Sequence, residues 1–177
     1  MSSKIALVIM DMQQCNFDNQ HPIVGGDSLL GVAKELIQKA RAADIPIVYV
    51  LNDGGKGAWD ESGTPGWEIH SDITPNEGDI LIEKTTPDAF HQTGLEEVLN
   101  IRSIKNLVVM GLQTEFCIDT TCRRGSILGY SIVLVRDGHS TWDSDILSAS
   151  QIIAHHSSIL GDWFVELKYA KEIDFSR

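Results

Sequence analysis

A mainly parallel α/β sheet with helices on both faces is the fold this sequence predicts, and two observations carry the prediction. Continuous apolar runs of strand length recur along the chain, as expected of strands buried on both faces. Between them, apolar residues repeat at helical spacing. Strands alternating with helices build βαβ units with right-handed crossovers. The 177 residues suit one domain spanning 1–177 and are too few for two ordinary ones.

The first apolar run is 5–10. Asp27 and Ser28 are placed to cap a helix in which Leu29, Leu30, Ala33, Leu36, Ile37 and Ala40 share one face. Residues 45–51 read as a second strand, with Pro46 tolerable only near its start. A shorter third strand covers 79–83, and Thr93 with Glu96 forms a capping box for a helix to about Ile101. The fourth strand, 106–110, precedes a helix from about Glu115 to Leu128 that Gly129 closes. The fifth covers 131–135. Asp143 or Ser144 then caps a helix to about Ser157, and 163–167 adds a last strand.

One segment breaks the alternation. The span 53–79 is rich in Gly, Pro and polar residues and carries Trp59 and Trp67. A connection this long in one domain reads as a lid, a binding loop or an oligomer contact.

The formal net charge of −11 argues against nucleic acid, because phosphate binding needs a basic footprint. No apolar run approaches membrane-spanning length, and the start of the chain resembles neither a signal peptide nor an anchor. Cys15, Cys117 and Cys122 form no CxxC or zinc-like pattern. Free thiols in a reducing, cytoplasmic setting follow from that count. No GxGxxG follows the first strand, which disfavours a nucleotide or flavin domain.

In open α/β sheets, ligands bind beyond the carboxyl ends of the strands. Asp11 directly follows the first strand, Lys84 the third, and Cys117 lies just past the fourth at the start of a helix. There the peptide dipoles favour a thiolate, and unpaired N–H groups can hold an oxyanion. Singly, each residue has an ordinary reading: Asp11 as a turn residue, Lys84 as a solvated charge, Cys117 as core. Their coincidence at three carboxyl edges points to catalysis.

These residues and their neighbours resemble the isochorismatase-like cysteine hydrolases. The resemblance rests on Asp11-Met12-Gln13 with Phe17, Glu83-Lys84, Ala89-Phe90 with Thr93 and Leu95, and Gly-Leu-Gln-Thr-Glu-Phe-Cys-Ile over 111–118. Thr121, Gly129 and Leu-Val-Arg-Asp over 134–137 extend it across nearly the whole chain. It implies a three-layer Rossmann-like fold with a six-stranded, mainly parallel sheet, and an Asp11–Lys84–Cys117 triad. It also implies a cis peptide at Leu112–Gln113, which would turn the Gln113 N–H beside that of Cys117 to form an oxyanion hole. Asp11 would act as base and Cys117 as nucleophile on the C–N bond of a small amide, ureide or lactam. The alternatives are an isochorismatase-type hydrolase of another small metabolite and a non-catalytic metabolite-binding member. Relatives often associate, which implies a dimer or tetramer.

The nicotinamidases of the family hold a divalent metal with an aspartate and closely spaced histidines after the second strand. This chain reads Asn52-Asp53-Gly-Gly-Lys-Gly there, with His70 the only histidine in the segment. Neither metal nor cofactor is expected, and nicotinamide fits poorly. Phe17, Phe90, Gln113 and Phe116 are candidate pocket residues, with ordinary core as the other reading of the phenylalanines. The acidic residues of 53–79 read as a solvated surface, or as a rim that attracts a cationic substrate. Cys15 and Cys122 read as structural. His139, after the fifth strand, is a lesser candidate for binding or for the base. His155 and His156 read as helix-end residues, and His21 and His91 as loop residues.

Overall fold

The computed structural model of the chain describes residues 4–17 and 20–175. Six strands form one sheet, β1 (Lys4–Met10), β2 (Ile47–Asn52), β3 (Ile80–Lys84), β4 (Ile104–Gly111), β5 (Ser131–His139) and β6 (Glu166–Lys168). Their order is β3-β2-β1-β4-β5-β6, and every neighbouring pair is parallel. The chain winds outward from β1 to one edge, then returns to β4 and winds to the other. The gap between the ends of β1 and β4 is therefore the switch point, where a crevice opens.

Strand periodicity divides the core into two layers. Leu7 and Ile9 of β1 face helix α1 (Gly26–Ala42) through Leu29, Ala33, Leu36 and Ala40. Ala6, Val8 and Met10 face the other side, with Leu95 and Leu99 of α2 (Leu95–Ile101), Cys122 of α3 (Asp119–Ile127) and Leu160 of α4 (Ala149–Trp163). Residues that alternate along a strand point to opposite faces, so a helix layer on each side is required.

Several local boundaries differ from the sequence reading. Helix α1 starts after Gly25, whose φ of 69° makes the turn, so Asp27 and Ser28 lie inside the first turn. There Asp27 still complements the helix dipole. Gly94 occupies the N-cap of α2. Thr93 Oγ1 accepts the Leu95 N–H at 3.2 Å and donates to the Ala89 carbonyl at 2.6 Å, so the Thr93–Glu96 box is not the cap used. Helix α4 begins later, with Ser148 and Gln151 forming its capping box. Ser144 Oγ accepts from Ile146 and Leu147 and holds a turn that delays the helix. Asp143 still takes the first helical N–H, that of Ala149, at 2.7 Å. The helix then runs through Trp163, leaving β6 only three residues.

The 53–79 segment is ordered against the carboxyl edge of the sheet. The N–H groups of Gln14, Cys15 and His70 bond to the carbonyls of Glu68, Gly66 and Met12, and Gln13 pairs antiparallel with Ile69. Trp67 packs against the core on the α1 side. The long connection is thus pinned to the residues that follow β1, beside the switch point. Among the described residues, no helix is long and apolar enough to cross a membrane.

Candidate active site

Asp11 leaves β1 with a φ of 52°. A left-handed conformation costs a residue with a Cβ about 1–3 kcal/mol, and two bonds hold it. The Asp11 N–H donates to the Val50 carbonyl at 2.9 Å, and Asn16 Nδ2 donates to the Asp11 carbonyl at 2.6 Å. The turn aims the carboxylate across the crevice. Gly111 ends β4 with a φ of 123°, and a Cβ there would be driven into the Met10 carbonyl oxygen. Only glycine lets the two strand ends come this close.

The peptide bond from Leu112 to Gln113 is cis. Thr114–Ile118 then forms a wide π-turn that continues into α3, so the helix predicted from Glu115 is two pieces. The Gln113 carbonyl accepts from Phe116 at 3.2 Å and from Ile118 at 3.1 Å. Cys117 lies between those two donors. Its thiol is half-buried beside the ends of β1 and β3.

Lys84 joins the three strand ends. Its Nζ lies 2.8 Å from Asp11 Oδ2, 3.2 Å from Cys117 Sγ and 2.8 Å from Asn52 Oδ1. An ammonium has three N–H donors, and each has an acceptor. Lys84 is only 2% exposed, a position a charge occupies only when it is paired. The second oxygen of Asp11, Oδ1, is buried with no partner at hydrogen-bonding geometry among the described residues, although the Cys117 thiol interacts with the same carboxylate.

The electrostatics correct one expectation. Burial, reinforced by the Asp11 charge, pushes the Cys117 thiol up to about 12 despite Lys84. The resting sulfur is therefore a thiol. Burial also raises the Asp11 carboxyl above its ordinary value, against the pull of Lys84. Burial works to lower the Lys84 ammonium, but attraction to Asp11 and Cys117 outweighs it and the net direction is upward. A neutral thiol, a carboxylate and an ammonium leave the buried cluster with no net charge.

These groups open on a cavity of about 300 Å³, lined also by Gln13, Asn52, Asp60, Gln113 and Phe116. Phe116 is 53% exposed at its mouth. Phe17 lines a separate outer cavity and meets the His70 ring edge-on at 4.9 Å. Phe90 does not reach the cleft. It is buried in the core, its ring 5.4 Å from that of Tyr130, because the turn after Pro87 carries it under α3 beside Gly125.

The other candidates fall away from the cluster. Cys122 is core, and Cys15 faces the outer cavity with its thiol pushed up to about 11 by burial. His139 ends β5 and is buried away from the cleft. Its Nδ1 bonds with Thr114 Oγ1 at 2.9 Å and its Nε2 with Ser157 Oγ at 3.2 Å, deep behind the π-turn. His156 pairs with Asp119 at 2.9 Å on the α3–α4 surface. His91 lies in an exposed loop.

The acidic segment is largely occupied with its own fold. Asp53 accepts from Gly55 and Ser62, Glu61 from Gly57, and Asp72 and Asp79 pair with Lys34 and Arg41. Among the described residues, no three His, Cys, Asp or Glu side chains converge as metal ligands would. Sequence reasoning missed Asn52 and Gln13. Asn52 ends β2 beside Lys84 in the ladder, and Gln13 bonds both its backbone N–H and carbonyl at 2.9 Å. Asn52 was findable, since it follows a strand just as Asp11 and Lys84 do.

The fold is a doubly wound parallel sheet that gathers a thiol, a carboxylate and an ammonium at its switch point. Residues 5–151 match the isochorismatase domain, and the chain belongs to the isochorismatase family of hydrolases. It is 30% identical to a streptothricin hydrolase of Streptomyces noursei over 97% of this chain and 71% of that protein. It is 26% identical to a ureidoacrylate amidohydrolase of Agrobacterium fabrum, covering 85% of this chain and 82% of the other. An isochorismatase structure from Pseudomonas putida KT2440 superposes with a TM-score of 0.91 at 28% identity, covering 97% and 90% of the two chains.

Proposed function

We propose that this chain is a cysteine hydrolase that cleaves the C–N bond of a small amide, ureide or lactam, with Asp11, Lys84 and Cys117 as its catalytic residues. One observation carries the reading: a single ammonium touches both the carboxylate and the sulfur at the wall of one small cavity.

The cluster explains how a thiol near 12 can react. Asp11 takes the Cys117 proton as the sulfur attacks the carbonyl carbon. The Asp11 charge that raised the thiol is cancelled in that step, while Lys84 stays beside the new thiolate. The negative charge passes from Asp11 to the sulfur and on to the carbonyl oxygen, so the site and its substrate together keep the same net charge. The N–H groups of Gln113 and Cys117 receive the carbonyl oxygen as it becomes negative, and one such donor is worth about 2.7–4 kcal/mol. The C–N bond then breaks as protonated Asp11 gives its proton to the leaving nitrogen, forming a thioester on Cys117. Asp11 next accepts a proton from water as its oxygen attacks the thioester, then returns that proton to the departing sulfur, which releases the acid and restores the carboxylate and free thiol. Every group in this scheme comes from the chain, so it uses no cofactor.

One relative supports C–N chemistry by name, as an amidohydrolase of ureidoacrylate, and another is named a hydrolase of streptothricin. A cytoplasmic setting suits three free thiols, and cell fractionation tests it. Assembly as a dimer or tetramer belongs to the same reading, with native mass spectrometry as its test. The function itself is tested by screening small amides, ureides and lactams for ammonia or amine release. Turnover that survives Cys117→Ala, or a trapped acyl group on Cys15 or Cys122 rather than Cys117, would refute the proposal.

A further inference from the structure

We propose that the cavity beside the reaction cleft is a subsite for a cationic substituent of the substrate, a primary ammonium or a guanidinium held by Asp60 and Trp59. The inference rests on the hydrolase reading above for the reaction at Cys117, but the recognition it describes is measurable without turnover.

The reaction cavity holds about 300 Å³, enough for the scissile group and a few attached atoms. A second cavity of about 660 Å³ adjoins it, and Asn16, Asp60 and Gln113 line both. A substrate whose carbonyl sits at Cys117 therefore has its remainder directed past Asp60. The walls of the second cavity are aromatic: Trp59, His21 and Trp142. Trp142 is anchored by donating its Nε1–H to the His21 carbonyl at 3.0 Å. The Trp59 ring lies nearly parallel to the His21 ring at 5.9 Å, yet Trp59 stays 69% exposed.

Charge selects the ligand. Among the described residues, no lysine or arginine lines either cavity, and the charged carboxylates that do are Asp11 and Asp60. Asp11 is neutralised by Lys84 at 2.8 Å. Asp60 forms no ion pair among the described residues, and Asn52 Nδ2 donates to its Oδ2 at 2.6 Å. That neutral amide orients the carboxylate without cancelling its charge. An oriented carboxylate beside an exposed indole face is the pairing that retains an alkylammonium or guanidinium, through charge and cation–π attraction together. A neutral or anionic substituent gains neither.

The test compares 6-aminohexanamide with hexanamide by calorimetry on the Cys117→Ala protein, which leaves both amides intact. At low ionic strength the cationic amide should bind at least ten-fold more tightly. Asp60→Asn, which keeps an acceptor for Asn52, should remove most of that preference, and Trp59→Ala should reduce it. Added salt should shrink it. Equal or undetectable binding of the two amides, or a preference that survives both substitutions, would overturn the subsite. If the preference holds while the wild-type protein hydrolyses no amide, ureide or lactam, the hydrolase reading fails and the subsite stands.

Discussion

Asn52 Oδ1 accepts a hydrogen bond from the Lys84 ammonium at 2.8 Å, and that contact completes the coordination of a buried charge. With Asp11 and Cys117 taking the other two hydrogens, Lys84 has no freedom to turn away from the sulfur. Asn52 is itself fixed by Gln13 through its backbone and by Asp60 through its side-chain N–H. A positioning residue is thus built into the end of β2.

Asn52→Ala leaves one buried N–H of a charged group without a partner, a loss of about 1–3 kcal/mol. The variant should unfold at lower denaturant and lose activity through kcat more than KM. Asn52→Asp is the sharper change. It sets a second carboxylate beside Asp60 and shares the Lys84 charge, so Asp11 should hold its proton to higher pH. A Cys117 site untouched by either change would show that Lys84 needs no third partner.

On the proposed chemistry, the acid limb of kcat/KM reports Asp11, because only its ionised form can take the thiol proton. Burial raises that carboxyl above 3.8. Activity is present above the raised value and disappears as pH falls through it, so the limb should be centred higher than an ordinary aspartate. A rate profile in the free enzyme that is flat down to pH 3.8 would contradict the assignment of Asp11 as base.

The sheet and the meeting of Asp11, Lys84 and Cys117 at its carboxyl edge were legible because both follow from backbone periodicity. A run such as 5–10 fixes a buried strand, and the residue after it then lies at the carboxyl edge. Asn52 obeys the same rule, but an uncharged amide draws less notice than Asp11 or Lys84. What periodicity does not carry is the state of a group after packing. Burial and the Asp11 charge, both products of tertiary structure, push the Cys117 thiol up, and neither is visible in the local sequence. The aromatic rings show the same limit: Phe116 precedes Cys117 and Phe90 lies six residues past Lys84, yet one rims the cleft and the other is core. Part of the acidic loop is likewise committed only after packing, since Asp53 and Glu61 satisfy backbone N–H groups of their own segment.

His139 should make the fold acid-sensitive. Burial lowers its imidazole from 6.5 to about 4, with the neighbouring His156 acting in the same direction. Between those values the unfolded chain binds a proton that the folded chain refuses, so stability rises with pH in that window. The contribution is complete above about 6.5 and is lost as pH falls to about 4, a loss on the order of 3 kcal/mol. Urea midpoints at pH 7 and pH 4 measure it. His139→Gln should lower stability at pH 7, because Thr114 and Ser157 lose the ring that bridges them, yet flatten the difference between the two pH values. An unchanged acid slope would mean that other groups carry it.

The same electrostatics separate turnover from thiol reactivity. The Asp11 charge helps hold the Cys117 thiol at about 12, and Lys84 opposes it. Asp11→Asn removes the opposing carboxylate and leaves the ammonium beside the sulfur, so the thiol should ionise at lower pH. Iodoacetamide should therefore label Cys117 faster in Asp11→Asn than in the wild-type protein at pH 8, while amide turnover is abolished for want of a base. Labelling followed by peptide mass spectrometry distinguishes Cys117 from Cys15, whose thiol burial also raises. Slower labelling in the variant would mean that Asp11 assists thiolate formation in the free enzyme more than its charge opposes it. A base that already holds the sulfur proton at rest would produce that result, and the neutral-thiol ground state would then have to be abandoned.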